Sequence, residues 1–184
     1  MRTVTESMLA SVVVLSALFM VPEGADQPVT RPVQDAALIR VVHVAGSRLI
    51  PAAKLEAAMD LPLGQGVTYP RLQQALFALN QEYLGRGFAY CGVLSNAQVH
   101  YDEISSTLTV TVVEPRLHAV LWRGAPAGDP AVLLKSAGLT TGEVPQTAQI
   151  VKLMREAAGT HGISPPRPYL DPAGDAIDLE FTMQ

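Results

Sequence analysis

An internal repeat is the feature that most constrains how this chain can fold. Two apolar segments, "LIRVVHVAG" ending at Gly46 and "LHAVLWRG" ending at Gly124, are each typical of a strand followed by a turn. These two glycines are 78 positions apart, and so are Gly64 and Gly142, which interrupt a helical stretch in each half. Self-similarity at a fixed spacing indicates two copies of one supersecondary unit.

The first copy has the predicted order strand, helix, helix, strand, strand. Its first helix starts at Pro51, because proline fits the first helical position, and Thr68 is a candidate N-cap of the second helix. Gly85 or Gly87 ends that second helix. The extended segment "FAYCGVL" and the alternating segment "TLTVTVVE" then predict two strands. The apolar stripe of the second helix consists of Leu72, Leu76, Leu79 and Tyr83.

The second copy repeats this order with shorter connections. Asp129 and Pro130 start its first helix, and Thr147 is the candidate N-cap of its second. The segment "AIDLEFTM" alternates apolar and polar residues and predicts the closing strand. The closing strands of the two copies align at a spacing of 69 residues, with Leu108, Val110 and Val112 against Ile177, Leu179 and Phe181.

Composition and charge exclude one class of function. The chain has 184 residues, of which 48% are hydrophobic, so it can bury a core. Its formal net charge is −4. A nucleic-acid-binding domain needs a basic face to neutralise phosphates, and this net negative charge argues against one, so we expect no nucleic-acid partner.

The N-terminal segment predicts export or anchoring. Met8–Val21 is apolar apart from two serines, which fits the core of a signal peptide and is short for a membrane-spanning helix. Residues 1–25 are therefore predicted to be a signal peptide, with Ala25 last, or an uncleaved short anchor. Residues 26–37 contain two prolines and read as a linker. The single cysteine, Cys91, excludes an intrachain disulfide.

No catalytic or metal-binding constellation can be assembled from the sequence. The four histidines share no metal-ligand spacing, and one cysteine cannot complete a thiolate site. Asp178 and Glu180 lie on the polar side of an alternating strand, where solvation explains them, and Trp122 is interpreted as a core or inter-module packing residue. We therefore expect no enzyme activity, no catalytic residue, no cofactor and no metal.

The residues of the first copy resemble a known family. The matching segments are "IRVVHVAGSRLI", "LGQGVTYPRLQQALFALNQEYLGRGFAYCGVLSNAQ" and "TLTVTVVEPRL", and the valine-valine-glutamate ending is among the most specific. They are similar to POTRA domains, the polypeptide-transport-associated modules of outer-membrane protein translocators, and most similar to the two-partner secretion type. The resemblance covers residues 38–115 well and residues 116–184 loosely.

The resemblance implies an α+β fold of two tandem β-α-α-β-β modules, 38–115 and 116–184. Each module would be a three-stranded mixed sheet with two helices on one face, a central third strand and a second strand at the edge. Transporters of this family carry a large β-barrel after the modules. Because this sequence ends at Gln184 on the closing strand of the second copy, we expect a module pair without the β-barrel.

The resemblance and the predicted export segment together imply a polypeptide-binding function. The expected protein is a periplasmic module, associated with the outer membrane, that binds unfolded or extended secreted polypeptides in secretion or assembly. Its second expected partner is an outer-membrane β-barrel translocator. The alternative is an envelope or cell-division scaffold, anchored in the inner membrane by the N-terminal apolar segment and facing the periplasm.

The second strand of the first copy is the predicted binding edge. An edge strand offers unpaired N–H and C=O groups that can accept another strand. In the second copy the matching region "SPPRPYLDP" is rich in proline, which donates no hydrogen bond, so that edge is predicted to be closed. The first copy has neither proline nor charge there, and the predicted site residues are Ala89, Tyr90, Cys91, Gly92, Val93 and Leu94.

Overall fold

The computed structural model describes residues 36–126, 128–158, 162–171 and 173–183. The predicted signal peptide or anchor and residues 26–35 of the predicted linker lie outside these ranges. The first module contains β1 Ala37–Ile39, β2 Val41–Ala45, α1 Ala52–Met59, β3 Gln65–Val67, α2 Tyr69–Gly85, β4 Val99–Asp102 and β5 Thr107–Thr111. The second contains β6 Arg116–Arg123, α3 Pro130–Ala137, α4 Thr147–Ala158, β7 Arg167–Leu170 and β8 Ala176–Thr182.

Each module is built on a three-stranded mixed sheet, as predicted. The first sheet has the order β2-β5-β4 and the second has the order β6-β8-β7. In both, the closing strand is central, with the first strand parallel and the second strand antiparallel to it. The α+β fold class of two β-α-α-β-β modules is therefore confirmed.

Strand pairing fixes the alignment of the two copies more closely than the sequence pattern does. Val42 lies opposite Leu108 in the first sheet, and Val120 lies opposite Leu179 in the second. Val42 and Val120 are 78 positions apart, and Leu108 and Leu179 are 71 apart, so the predicted spacing of 69 for the closing strands is wrong by two. A shift of two residues keeps every side chain on the same face, which is why the predicted core face is still correct.

The first predicted strand is interrupted, and a short ladder was missed. The segment predicted to be one strand from Leu38 is divided at Arg40 into β1 and β2. β1 pairs antiparallel with β3, in a stretch for which the sequence indicated only a helix break. The second module keeps the same feature in reduced form, because Leu117 bonds to both Gly142 and Glu143.

The core of the first module lies between its sheet and helices α1 and α2. Leu55 and Met59 of α1 are buried together with alternate side chains of β5 and with the predicted stripe of α2, of which Leu72 is only partly buried. The opposite side of β5 carries threonines, which are more exposed. Both helices therefore cover the same face of the sheet.

We expect Leu76→Ala to lower the free energy of unfolding by about 3 kcal/mol, through lost burial and the cavity left behind. Leu76 is 7% exposed and packs in the first core. Urea unfolding followed by circular dichroism measures the change. The exposed neighbour Phe77 is a matched control, because Phe77→Ala removes a side chain that is 65% exposed. Equal losses in the two variants would contradict the assignment of the buried face.

The second core contains the single tryptophan. Trp122 stacks on Phe181 with ring centroids 5.1 Å apart and an interplanar angle of 24°. Ile150 and Leu153 of α4 are buried in the same cluster. The prediction that Trp122 is a packing residue is confirmed.

Of the predicted helix starts, only the one at Asp129 has the expected capping hydrogen bond. Asp129 is the N-cap of α3, and its carboxylate accepts the N–H of Ala131 at 2.9 Å. Thr68 occupies the N-cap position of α2, but its hydroxyl makes no capping hydrogen bond. Pro51 is the N-cap of α1 and not its first residue. Thr147 is the first residue of α4 rather than its cap, and its hydroxyl has another partner, described below.

Candidate functional site

The segment Ala89–Leu94 is not the edge strand that the sequence predicted. Ala89 and Tyr90 lie in a turn, and the following residues make a single isolated bridge, between Gly92 and Val113. The second strand of the module is β4, which begins at Val99. The chain thus leaves α2, touches the end of the sheet at Gly92, and pairs regularly with β5 only seven residues later.

The N–H groups of Gly92, Val93 and Leu94 already have partners inside the module. Gly92 donates to and accepts from Val113, at 2.9 Å in each direction. Val93 donates to the Asn80 side chain at 2.8 Å and accepts from it at 3.0 Å. The N–H of Leu94 donates to Gln98 Oε1 at 2.7 Å. An added strand would find no free N–H group at Gly92, Val93 or Leu94, which argues against strand addition at these three residues.

The reason for this arrangement is the backbone of Gly92 and the side chain of Asn80. Gly92 has a φ of 119°, which residues with a Cβ rarely adopt, and an added Cβ would collide with Asn80 Oδ1. The next residues form a short 3-10 helix with a reciprocal capping box between Ser95 and Gln98. The sequence signal for this excursion was the serine and glutamine three residues apart.

Hydrogen bonds at the end of β5 show which of its residues face each neighbouring strand. The N–H of Val112 donates to the carbonyl of Ala45, the last residue of β2, at 2.9 Å. On the other side of the strand, the N–H of Val113 donates to the carbonyl of Gly92, also at 2.9 Å. Backbone groups alternate in direction along a strand. The backbone N–H and C=O groups of even-numbered residues of β5 therefore point towards β2, and those of odd-numbered residues point towards β4.

This alternation identifies the free groups at the outer edge of β4. His100 is the partner of Thr109 and therefore directs its backbone groups towards β5. Tyr101 then directs both its N–H and its C=O outwards. Val99 also faces outwards, but its N–H donates to Asn96 O, so only its carbonyl remains free. The outer edge of the first sheet thus offers one donor and two acceptors, centred on Tyr101.

Two large apolar side chains are exposed on the side of α2 that contacts Val93. Asn80 is held against Val93 by two hydrogen bonds, which places this side of α2 next to the segment that follows the helix. Phe77 and Leu84 lie three and four residues from Asn80 on the same helix side, since residues at these spacings are neighbours on a helix. They are 65% and 51% exposed, which is unusual for side chains of this size.

The corresponding edge of the second module is occupied by proline. β7 is the edge strand of the second sheet, and Pro168 lies within it opposite Leu179. Its neighbour Tyr169 is the partner of Asp178, which faces β7, so Pro168 is an outward position. Proline has no N–H to offer there, which supports the prediction that this edge does not accept a strand.

The turn after α2 joins the two modules. Thr147 donates to the carbonyl of Gly87 twice, from its N–H at 2.7 Å and from its hydroxyl at 3.0 Å. Tyr90 packs against the second core, and Val144 packs against the first. The segment predicted to bind a client therefore contains a residue that connects the modules, and no sequence pattern within one copy indicated that role.

Glu114 connects three parts of the first module. Its carboxylate follows β5 and accepts the N–H groups of Arg48 and Leu49, both from the turn after β2, at 2.9 and 3.0 Å. It also accepts the hydroxyl of Tyr83 at 2.8 Å. Burial and this hydrogen bond to a carboxylate raise the pKa of Tyr83, so its phenol stays protonated.

We expect Cys91 to be alkylated by iodoacetamide at pH 8 at least about a hundredfold more slowly in the folded chain than in urea. The thiol is buried, and this burial raises its pKa to about 12. The same shift contributes stability below the ordinary thiol pKa, and this contribution is lost as pH rises towards 12. Mass spectrometry after timed alkylation provides the rate, and equal rates in the two states would contradict the burial.

The described residues bring together no group of three or more potential metal ligands. His43 and His118 lie on the exposed side of their sheets, each near one carboxylate, Glu56 and Asp178 respectively. In the same part of the chain, no helix is both long and apolar enough to cross a bilayer.

Comparison with known families confirms the resemblance for the first module. Residues 37–115 match the family model described as "POTRA domain, ShlB-type". Over these residues the first module matches POTRA domains of this type. The valine-valine-glutamate ending that carried the resemblance is the segment that holds Glu114, which gives that part of the POTRA sequence a structural reason. A search of curated proteins found no significant match to the chain.

Solved structures show the same fold over most of the chain. CdiB from Escherichia coli matches with a TM-score of 0.60 and 17% identity over 91% of this chain and 29% of that one. POTRA1-3 of the periplasmic domain of Omp85 from Anabaena matches with a TM-score of 0.57 and 15% identity, covering 80% of this chain and 65% of that one. CdiB from Acinetobacter baumannii gives a TM-score of 0.54 at 13% identity. The chain thus spans less than two thirds of these relatives.

Proposed function

We propose that this chain is an exported pair of POTRA modules that binds extended segments of secreted polypeptides in outer-membrane protein secretion or assembly. The observation that carries the proposal is the open edge of β4, with the outward N–H and C=O groups of Tyr101 at its centre. Main-chain hydrogen bonds to Tyr101 would provide affinity.

The family and the fold support this setting. The first module matches a POTRA domain, and the Omp85 structure with the same fold is described as part of a periplasmic domain. The proposed location is the periplasm, and the proposed partners are a secreted polypeptide and an outer-membrane β-barrel translocator. The proposed site differs from the sequence-based hypothesis, because we assign it to the edge strand β4 at Val99–Asp102 instead of Ala89–Leu94.

The test is the removal of one outward amide. A fluorescein-labelled peptide of eight alternating valine and threonine residues is titrated with the full chain, and binding is followed by fluorescence anisotropy. We expect Tyr101→Pro to weaken binding at the β4 edge at least about tenfold, because the outward N–H of residue 101 is lost while its neighbours stay paired with β5.

The matched control is Tyr101→Val, which loses the ring but keeps the amide. We expect it to bind within about threefold of the parent at this edge, since strand addition depends on the main chain. Circular dichroism checks that both variants are folded. If the proline and valine variants bind the peptide equally, the β4 edge is not a binding site.

A further inference from the structure

The first strand of the second module, β6, also has backbone groups that point away from its sheet. Met183, which follows β8, donates to the carbonyl of Arg123 at 2.9 Å, so Arg123 faces β8. Because backbone groups alternate along a strand, Leu121 also faces β8, and Val120 and Trp122 direct their N–H and C=O groups away from the sheet. In the described part of the chain, none of these outward groups has a hydrogen-bond partner.

In the first module the equivalent edge is closed by a side chain. Val44 corresponds to Trp122, since each lies opposite the matching residue of its closing strand. The outward N–H of Val44 donates to Glu56 Oε1 of α1 at 3.0 Å. A carboxylate in this position occupies the edge amide and stops another strand from using it.

The second module lacks this closing carboxylate. Helices α1 and α3 correspond residue for residue at the spacing of 78, so Glu56 is replaced by Leu134. Leucine cannot accept a hydrogen bond. In addition, α1 packs directly against β2, whereas α3 packs mainly against α4. The edge of β6 is therefore less covered than the edge of β2.

The surroundings of this edge are apolar and uncharged. Val120, Trp122 and Leu134 are half-buried at the margin of the second core, and Leu121 is 44% exposed on the other face of the sheet. The indole N–H of Trp122 is buried and has no acceptor among the described residues. A buried donor without an acceptor is costly, so this residue is short of a partner in the free chain.

The ionisable side chains at the two ends of the edge already have partners. Arg123 forms an ion pair with Glu180 at 2.5 Å, and His118 lies 2.9 Å from Asp178. No charged side chain lies between Ala119 and Trp122. A charged segment would thus find no counter-charge along this edge and would lose hydration there.

We propose that the β6 edge of the second module is a second strand-addition site, which takes a neutral extended polypeptide segment with apolar side chains at alternate positions. The two modules would then bind by different strands: the first through β4, with β2 closed by Glu56, and the second through β6, with β7 closed by Pro168. The inference stands on the second module alone and is independent of binding at β4.

The test uses the only tryptophan of the chain as a local reporter. The unlabelled peptide of eight alternating valine and threonine residues is titrated into the full chain while the emission of Trp122 is recorded. We expect a saturable shift of the emission to shorter wavelength as the added strand excludes water. Val120→Pro removes one outward amide, and Leu134→Glu restores the closing carboxylate of the first module. Each should weaken the binding reported by Trp122 at least about tenfold.

The control separates the two edges. Tyr101→Pro removes the outward amide of β4 and should leave the binding reported by Trp122 within about twofold of the parent. A peptide N-methylated at alternate amides tests the same bonds without changing the protein and should bind at least about tenfold more weakly, even if a variant fails to fold. The proposal is overturned if the emission does not change, if the change is lost in Tyr101→Pro, or if it persists equally with the N-methylated peptide.

Discussion

Replacing Glu114 with alanine is expected to lower the free energy of unfolding by about 4 kcal/mol. The half-buried carboxylate accepts the backbone N–H groups of Arg48 and Leu49 and the hydroxyl of the fully buried Tyr83. Hydrogen bonds to a charged acceptor contribute about 1.5–3 kcal/mol each, and donors left without a partner add a desolvation cost. The loss would fall on the turn after β2, the end of α2 and the end of β5 together.

The measurement is urea unfolding of the parent, Glu114→Ala, Tyr83→Phe and the double variant. Tyr83→Phe removes one of the three donors and should cost about 1–2 kcal/mol. In the double variant the two losses should not add, because the variants share one hydrogen bond. If Glu114→Ala costs less than Tyr83→Phe, the carboxylate does not hold the turn as described.

Replacing Gly46 with alanine is expected to cost about 4 kcal/mol or more. Gly46 has a φ of 85°, and an added Cβ would collide with the carbonyl oxygen of Val112. The left-handed conformation alone costs a residue with a Cβ about 1–2 kcal/mol. The collision is with backbone, so relief requires moving β5 and stretching the hydrogen bond from Val112 to Ala45.

The chain offers a matched control for this change. Gly64 has a φ of 77° and has open space where a Cβ would be built. Gly64→Ala therefore carries the conformational cost without the collision and should lose about 1 kcal/mol. Thermal and urea unfolding of the two variants provide the comparison. Similar losses at the two positions would show that close packing of the turn against β5 is not what requires glycine at residue 46.

Periodic patterns in the sequence predicted the elements that bury a side-chain stripe. The α2 stripe, the Asp129 cap and the alternating closing strands all lie where the pattern placed them, because burial of one face imposes a fixed spacing. The spacing between the closing strands was wrong because alternation repeats every two residues and cannot distinguish a shift of two.

The candidate site was harder to predict, because it depends on contacts rather than on periodicity. The segment Ala89–Leu94 is apolar enough to resemble a strand. The amides of its last three residues, however, donate to Val113, Asn80 and Gln98, which lie outside the segment. The actual edge strand, "VHYD", is only four residues long and mixed in polarity. Likewise, the closing of one edge by Glu56 becomes visible only when helix and strand are placed together.

The hydrogen bond between Thr147 and Gly87 makes the amide of Thr147 a hydrogen-exchange reporter of the separation of the two modules. The N–H of Thr147 precedes the hydrogen-bonded ladder of α4, and its acceptor belongs to the other module. Its proton can therefore exchange with solvent only when the modules part or when one of them unfolds. Comparing its exchange rate with that of amides in the middle of β5 and β8 gives the free energy of module separation alone, and so shows whether the two modules move as one rigid body or as two.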